Sequence, residues 1–294
     1  MRNTTRKITL LDTLTILGVL GLTGYIGYRL FYSLNYNWNW SIIPTYMVRF
    51  DQEQQRWVAN ALLEGFLITI KLSVWGMLIA VLLGLLVGVC RTSKRLFFKL
   101  VGLSYVELIR NTPPLVLVFL FYFFVSDQIM PLIGIEDFYR NSSPDIQKRL
   151  ALFSARPELI SAFVSGACTL GLFQGAYIAE IVRAGIQSID PGQWEASAAQ
   201  GLGKWQQMRH IIMPQAIRIM LPPLANEFIN TIKYSSIVSI ISIQELTFQG
   251  MQIMASTQAT IEVWLTITVM YLLLCLCLSL FVSRLERRLA VSLS

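Results

Sequence analysis

Histidine and charge are scarce in this 294-residue chain, and their scarcity limits what it can be. His210 is the only histidine, so acid/base chemistry built on imidazole has little material. Charged residues make up only 14% of the chain and hydrophobic residues 54%. Several mostly apolar runs reach the roughly 20 residues needed to cross about 30 Å of hydrocarbon. The sequence therefore predicts an integral membrane protein.

The four cysteines form neither a metal-ligand pattern nor a disulfide pattern. Cys90, Cys168, Cys275 and Cys277 all lie in apolar runs, and no histidine or carboxylate stands at ligand spacing from the last two. The simplest interpretation is that they are small side chains compatible with lipid. We therefore predict no catalytic residues and no metal-binding residues in this chain.

Hydropathy predicts an all-α membrane protein with six transmembrane helices. The first follows Arg2, Arg6 and Lys7, as in the positive start of a signal peptide, but no small-residue cleavage site comes after it. We therefore expect a retained signal anchor. The predicted spans are residues 8–31, 63–90, 113–135, 159–184, 219–243 and 261–283.

Basic residues give the predicted orientation. Most lysines and arginines between the spans fall on the side that holds the N-terminus, for example in residues 91–99, which places both termini in the cytoplasm. The same bias accounts for the net charge of +7 without nucleic-acid binding. The outer loop 32–60 is rich in Trp and Tyr, as at a headgroup belt. The outer loop 136–158 mixes charges of both signs, and we expect a solvated excursion.

Residues 190–214, between the fourth and fifth spans, are too polar to cross a bilayer and are patterned as two short helices. Asp190 can cap the first helix at Pro191, with Gln193 placed as in a capping box. Gly201 and Gly203 would supply the break, since glycine accepts the positive φ of a helix stop.

The second of these helices is expected to run towards Pro214, which would set where that helix ends and the next span is approached. Trp205, Met208 and Ile212 would then lie on one apolar stripe. The small residues 196–199 of the first helix permit close approach by another protein surface. An amphipathic helix lying on the membrane is the alternative interpretation.

This loop resembles the EAA loop of the permeases of ATP-binding-cassette (ABC) importers. Glu195-Ala196-Ser197, three residues, Gly201, nine residues and Ile211-x-Met213-Pro214 match that family pattern, with Ser197 and Met213 as mild departures. In the family this loop is the coupling helix, which docks into a groove on a separate ATPase. The resemblance assigns the coupling role to Gly192, Gln193, Glu195, Ala196, Gly201, Ile211 and Pro214.

Other segments resemble permeases for polar amino acids of the histidine, glutamine and glutamate type. They are Tyr105–Phe123, with Asn111 where glycine is usual, Ala176–Ala196 and Leu221–Leu246, with Lys233 to Ile237 in place of Lys-Asp-Thr-Ser-Leu. The resemblance covers about 61–285 and implies the five-helix core of a type I ABC importer preceded by one extra helix. The expected domains are an anchor helix with outer loop at 1–60, a permease domain at 61–285 that contains the coupling loop 190–214, and a cytoplasmic tail at 286–294.

The chain is not expected to be an enzyme. Around Gly203-Lys204 a phosphate-binding loop is incomplete, because Ala198 stands where its first glycine belongs and Trp205 where it needs Ser or Thr. The resemblance implies that ATP and Mg²⁺ bind a partner ATPase and that this chain binds no cofactor. Its implied partners are two ABC ATPase subunits, a second permease subunit (identical or homologous), an extracytoplasmic solute-binding protein and membrane lipid, with no nucleic acid. The implied location is the bacterial plasma (inner) membrane, as a multi-pass protein.

Polar residues within the spans are candidates for a translocation path, because ionisable groups in a membrane usually face the bundle interior or a wet cavity. Asn226, Asn230 and Lys233 share one helical face, and Glu227, Thr231 and Ser235 follow a neighbouring row. A buried network that only joins helices is the alternative. The candidate path residues are Lys71, Gln174, Tyr177, Glu180, Asn226, Asn230, Lys233 and Ser235.

Two candidates have simpler explanations of their own. Lys71 could extend its long stem to the outer interface. Glu180 and Arg183, three residues apart, could pair with each other.

The sequence thus favours the permease subunit of an ATP-driven importer of polar amino acids. An ABC permease for another small polar solute, such as an opine, is one alternative. A secondary transporter driven by an ion gradient is an alternative of another class, although the inverted repeats and midplane carboxylate relay typical of that class are not visible.

Overall fold

The computed structural model describes residues 9–33, 36–52 and 55–291. The chain divides into two compact units, the second of which begins at Ser41, and each is described by itself. The basic residues expected to precede the anchor helix, Arg2, Arg6 and Lys7, lie outside the described residues, as does the end of the predicted tail, 292–294.

The first unit contains one long helix, α1 (Leu10–Ser33), in the place of the predicted first span. Thr9 caps it: its N–H donates to Asp12 Oδ2 at 2.9 Å, and the Asp12 N–H donates to Thr9 Oγ1 at 3.3 Å. These reciprocal bonds satisfy N–H groups that have no partner at a helix start. The apolar side chains of α1 are exposed from Leu10 to Tyr28, as on a helix that crosses a bilayer.

The second unit is helical except for one antiparallel hairpin, in which Val48 pairs with Ala59. Its elements are α2 (Ile42–Met47), β1 (Val48–Asp51), β2 (Arg56–Ala59), α3 (Ala61–Thr92), α4 (Leu96–Arg110), α5 (Pro114–Phe124), α6 (Met130–Ile133), α7 (Ile135–Arg140), α8 (Pro144–Phe153), α9 (Ile160–Gln187), α10 (Pro191–Ala199), α11 (Lys204–Gln207), α12 (Met213–Ser235), α13 (Leu246–Thr257) and α14 (Thr260–Val291). The π-helical turns Val125–Ile129 and Met208–Ile212 join α5 to α6 and α11 to α12, and the 3-10 turns Pro157–Leu159 and Ser236–Ile241 precede α9 and follow α12.

The prediction of an all-α membrane protein is confirmed in its coarse form, because the structure is mostly helical and contains helices that can span a bilayer. Among the described residues, five segments are long and apolar enough to do so: Leu10–Arg29, Ala61–Thr92, Pro114–Ile133, Pro157–Gln187 and Thr260–Arg284. The remaining predicted span, 219–243, falls on α12 and the 3-10 turn after it, where polar residues interrupt the apolar pattern. The regular helix ends at Ser235, short of the predicted boundary, and Ser242 closes the turn in the left-handed conformation.

Helix α9 lies at the centre of the second unit and packs closely along α3. A Cβ atom at Gly84 would lie 2.5 Å from Ile178 Cγ2, and one at Gly88 would lie 2.6 Å from Val182 Cβ. Glycine at these positions lets the two backbones approach, as small residues do between transmembrane helices. The pair α3 and α9 therefore forms the framework to which the candidate site residues are attached.

Candidate coupling loop and translocation path

The start of the coupling loop follows its prediction in part. The Asp190 side chain accepts a hydrogen bond from the Gly192 N–H at 2.6 Å, and Pro191 occupies the first turn of α10. The capping-box role of Gln193 is not what the structure shows. Its Oε1 instead accepts a hydrogen bond from Gln215 Nε2 at 3.2 Å, which ties α10 to α12.

The predicted break after the first loop helix is confirmed at Gly201. Its φ is +78°, the left-handed region that glycine adopts without strain. The Gly201 N–H donates to the Ala198 carbonyl at 2.9 Å, and the Leu202 N–H donates to the Ser197 carbonyl at 3.2 Å. These bonds satisfy the last carbonyls of α10, as expected at a helix C-terminus.

Pro214 does not end the second loop helix, contrary to the prediction. It lies in the first turn of α12, and the π-helical turn Met208–Ile212 makes the path from α11 into α12 continuous. Proline lacks an N–H and its ring crowds the carbonyl four residues earlier, so a wider turn immediately before it relieves the clash. A π-helical turn holds one more residue than an α-helical turn, which rotates the residues after it around the helix axis. Trp205 and Ile212 therefore do not share the predicted apolar stripe: Ile212 is fully buried, whereas Trp205 is 73% exposed.

Helix α10 turns Trp194 and the buried Ser197 inward, and its other small and polar side chains outward. Trp194 packs on the apolar cluster where the C-terminal end of α9 meets the N-terminal end of α12. Gln193, Glu195 and Ala196 are exposed. The loop therefore has an exposed face of small and polar side chains, and its other side is packed against two long helices. The buried members of the cluster are Ala80, Ile178, Val182, Ile186, Ile189, Ile212, Ala216 and Met220.

Lys71 binds protein backbone at the end of α8. Its Nζ donates to the carbonyl oxygens of Ala151 at 2.7 Å and Ser154 at 3.0 Å, at the C-terminal end of α8. The neighbouring Trp75 Nε1 donates to the Phe153 carbonyl at 2.9 Å. A cation is favoured at this position because the last carbonyls of a helix have no partner and carry partial negative charge. These contacts give Lys71 a structural role, and they do not join it to the other path candidates.

Gln174 lies on α9 and contacts α12. It is fully buried, and its Nε2 donates to Thr231 Oγ1 at 2.9 Å. Directly before Thr231 on α12, Asn230 donates from Nδ2 to Glu227 Oε2 at 3.3 Å, and the side chains of Asn230 and Glu227 are half-buried. Within the described part of the chain, Gln174 Oε1 has no hydrogen-bond partner. An uncompensated acceptor in a dry interior is costly, so this oxygen marks a place where a donor would be stabilised.

Aromatic rings border this polar group. The Tyr177 ring centroid lies 5.3 Å from that of Phe173, which in turn lies 5.2 Å from that of Tyr234 on α12. The guanidinium carbon of Arg110, at the end of α4, lies 5.9 Å from the Tyr177 centroid, within the range of a cation–π contact. The structure thus brings Gln174 and Tyr177 to the same side of α9, facing α12.

Glu180 is the centre of an ion-pair cluster. Its carboxylate pairs with Arg183, as the alternative interpretation predicted, and also with Arg91 at the end of α3. Arg110 Nη1 lies 3.9 Å from the same carboxylate. In the pair of Arg91 with Glu180, the Arg91 side chain is only 9% exposed and is therefore largely shielded from water. The cluster joins α3 and α4 to α9 near the C-terminal end of each helix.

The two predicted rows of polar residues on α12 face different surroundings. Asn226 and Lys233 are exposed on the surface of this subunit, with Asn230 half-buried between them. Thr231 and Ser235 are fully buried, and Ser235 Oγ donates to the Ile232 carbonyl at 2.7 Å. Ser235 is therefore occupied within its own helix and does not line an open path.

Sequence reasoning missed Glu245, which is fully buried. Its Oε2 accepts hydrogen bonds from Tyr271 Oη at 2.8 Å and Thr69 Oγ1 at 3.3 Å, and its Oε1 accepts one from the Phe248 N–H at 2.8 Å. The carboxylate therefore joins α3, α13 and α14. Its position directly before an apolar helix, typical of an N-terminal cap, was the available signal.

Comparison with known proteins agrees with this architecture. Residues 80–291 match the family described as "Binding-protein-dependent transport system inner membrane component". The chain is 36% identical over 231 residues to the glutamine transport system permease protein GlnP of Escherichia coli (strain K12), covering 78% of this chain and 93% of that protein. It is 31% identical over 255 residues to the glutamate/aspartate import permease protein GltJ of the same strain, covering 87% of this chain and 96% of that one.

A solved structure shows the same fold. A crystal structure described as an amino acid ABC transporter with histidines aligns with a TM-score of 0.61 at 36% identity, covering 78% of this chain and 94% of that one. The family match covers most of the chain, and the EAA-like loop lies within it. The chain is a transport subunit of the inner membrane, not an ATPase, and it belongs to the family of binding-protein-dependent transport system inner membrane components.

Proposed function

We propose that this chain forms the membrane passage of an ATP-driven importer for polar amino acids. The observation that carries the proposal is α10, a short helix with an exposed face of small and polar residues, anchored by Trp194 to the ends of α9 and α12. A partner that binds this helix and moves it would also move α9 and α12, to which it is attached. The relatives named for glutamine and for glutamate/aspartate transport support the class of cargo.

The partners follow from this role. Two ABC ATPase subunits supply the energy, with ATP and Mg²⁺ bound on them and not on this chain. An extracytoplasmic solute-binding protein delivers the cargo. Glu195, Ala196 and Gly201 form the part of the loop that contacts the ATPase, with Gly192 and Gln193 at its start and Ile211 and Pro214 at the link to α12.

A second permease subunit is supported by the exposed polar row on α12. Asn226 and Lys233 face outward from this subunit on a helix that we assign as the sixth membrane crossing. Contact with lipid would be costly for these side chains, whereas a second subunit or a wet passage between subunits would accommodate them. This face of α12 is therefore directed towards a second permease. With α12 as the sixth crossing, the bias of basic residues places both termini in the cytoplasm.

The passage itself is proposed to follow the polar face between α9 and α12. Gln174, Tyr177 and Asn230 lie there, with Glu227 beside them. A half-buried carboxylate near an unpartnered amide oxygen provides a place where an ammonium group would be stabilised. Amino acids carry such a group at their α-carbon. Glu180 and Arg110 border the inner end of this face, where they hold it together through ion pairs.

Reconstituted uptake tests the function. The chain is co-expressed with its ATPase and placed in vesicles, with the binding protein outside and ATP inside. Labelled glutamine, glutamate, histidine, arginine and an opine are then supplied in turn. The proposal predicts uptake of at least one amino acid that requires ATP hydrolysis and is retained when ionophores abolish ion gradients.

Two results would point elsewhere. Uptake confined to the opine would keep the mechanism and change the cargo. Uptake that ionophores abolish and that proceeds without ATP would replace the proposal with a secondary transporter. Glu227→Gln serves as the path variant, with exposed Glu107→Gln as its matched control.

A further inference from the structure

The outer excursion between the third and fourth predicted spans is a folded element. Tyr139 of α7 is buried, and its Oη donates to the carbonyls of Gln147 at 3.0 Å and Ala155 at 3.1 Å. Lys71 and Trp75 of α3 bind the C-terminal end of α8. The position of α8 relative to the long helices is therefore fixed.

Its depth can be measured along α3. Arg91 lies at the inner end of that helix, beside the basic residues expected at a cytoplasmic interface. Lys71 lies about 20 residues earlier, and at 1.5 Å per residue this is about 30 Å, the thickness of the hydrocarbon layer. Lys71, and with it the C-terminal end of α8, lies at the outer boundary of the hydrocarbon.

A second membrane-spanning segment also ends at the outer boundary of the hydrocarbon. The apolar segment Pro114–Ile133 has 20 residues and ends at Gly134, whose φ of +62° turns the chain into α7. A helix of that length also spans about 30 Å. Both counts bring α7 and α8 to the level of the interfacial layer, where the charge pattern alone predicted a solvated excursion.

The side chains of α8 change in character along its axis. At its C-terminal end Leu152 and Phe153 are 67% and 66% exposed, next to the exposed ring of Trp75. One turn earlier Lys148 and Arg149 are exposed, and Asp145 lies at the opposite end. The apolar end is the end that Lys71 holds at the hydrocarbon boundary.

We propose that α8 is an interfacial helix that inserts its C-terminal end into the outer leaflet of the bilayer. Leu152 and Phe153 enter the acyl region, Trp75 lies at its edge, and Lys148 and Arg149 reach the phosphates of the lipid headgroups. The partner of this surface is phospholipid. A docked extracytoplasmic protein fits less well, because it would have to descend to the level of Lys71 to cover these side chains.

The inference rests on the topology proposed above, and spin labelling tests it. In the full chain, Cys90, Cys168, Cys275 and Cys277 are replaced by serine, and a single cysteine is introduced by Leu152→Cys or, as the matched control, Asp145→Cys. The labelled proteins are placed in vesicles of phosphatidylcholine and phosphatidylglycerol. Collision with oxygen reports acyl chains, and collision with a water-soluble nickel chelate reports water.

We expect the label at 152 to collide more with oxygen and the label at 145 more with the nickel chelate. A label at 152 that favours the nickel chelate would overturn the proposal in favour of a solvated helix. A label at 152 that neither reagent reaches would overturn it in favour of a protein interface.

A second measurement keeps all native cysteines and separates the inference from the topology. Spheroplasts that carry either variant are treated with a membrane-impermeant maleimide, and the α8 peptide is examined by mass spectrometry. We expect modification at Asp145→Cys and protection at Leu152→Cys that detergent abolishes. If the maleimide modifies both variants equally from outside, the insertion of α8 into lipid is overturned and the proposed topology stands. Modification of Asp145→Cys only in inverted vesicles overturns the topology, and the inference with it.

Discussion

Lys71 Nζ lies 2.7 Å from the carbonyl oxygen of Ala151, so a lysine within a predicted span closes the end of a helix 80 residues further along the chain. Because this contact joins α3 to α8, we predict that Lys71 stabilises the packing of these two helices and does not contact cargo. The distinction can be measured, since a packing contact affects stability and a cargo contact affects transport.

Replacement of Lys71 by methionine should destabilise the chain. The carbonyls of Ala151 and Ser154 would lose their donor in a partly buried place, at a cost of about 1–3 kcal/mol in the free energy of unfolding. Thermal unfolding of the purified protein in detergent checks this, with exposed Lys94→Met as the control. A variant with unchanged unfolding but a lower uptake rate per molecule would return Lys71 to the translocation path.

Gly201→Ala should impair the coupling loop, whereas Gly203→Ala should leave it nearly unchanged. Gly201 has a φ of +78° and open space around it, so alanine there meets only backbone strain, worth about 1–2 kcal/mol. Gly203 has a φ of −65°, which alanine adopts freely. The measurement is substrate-stimulated ATP hydrolysis by the reconstituted complex. Equal activity of the two variants would mean that the left-handed turn is not required for coupling.

Thr231→Val should lower the free energy of unfolding more when it is made alone than when it is combined with Gln174→Leu. The single change removes the Thr231 acceptor from the buried Gln174 Nε2, at about 1–3 kcal/mol in the free energy of unfolding, and the second change removes the amide that made this bond. A double-mutant cycle on the free energy of unfolding should therefore show a coupling of at least about 0.5 kcal/mol. Strictly additive effects would show that the bond between α9 and α12 does not contribute to stability.

Glu180→Gln should lower stability more than Glu107→Gln. The first change removes the only carboxylate that pairs with Arg91, Arg110 and Arg183 among the described residues, and it leaves the shielded Arg91 without compensation. We expect a loss of about 1–3 kcal/mol for this partly exposed cluster. Glu107 is exposed and accepts one bond from Asn111, so its replacement should cost at most about 0.5 kcal/mol. Similar thermal midpoints for the two variants would contradict the assigned role of Glu180.

Patterns that depend on local chemistry could be predicted from the sequence. The cap at Asp190, the stop at Gly201 and the long apolar helices all follow from residue types at short spacing, and the structure confirms them. The EAA-like spacing gave the family, which the comparisons confirm.

Features that depend on distant partners could not be predicted in this way. The role of Lys71 depends on a helix end about 80 residues away, and that of Glu245 on Thr69 and Tyr271. The π-helical turn before Pro214 depends on how the chain relieves a clash, which residue spacing does not encode. The depth of α8 also required helices whose ends the structure defines.

The most direct test of the account is co-purification of the ATPase with this chain from native membranes. Wild type, Glu195→Ala and Gly201→Asp are solubilised gently, and the bound subunits are identified and quantified. We expect an ABC ATPase with the wild-type chain and its loss, or near loss, from both variants, because the exposed face of α10 would be its docking surface. An ATPase that remains at wild-type levels on both variants, or none on the intact wild type, would contradict coupling through this loop.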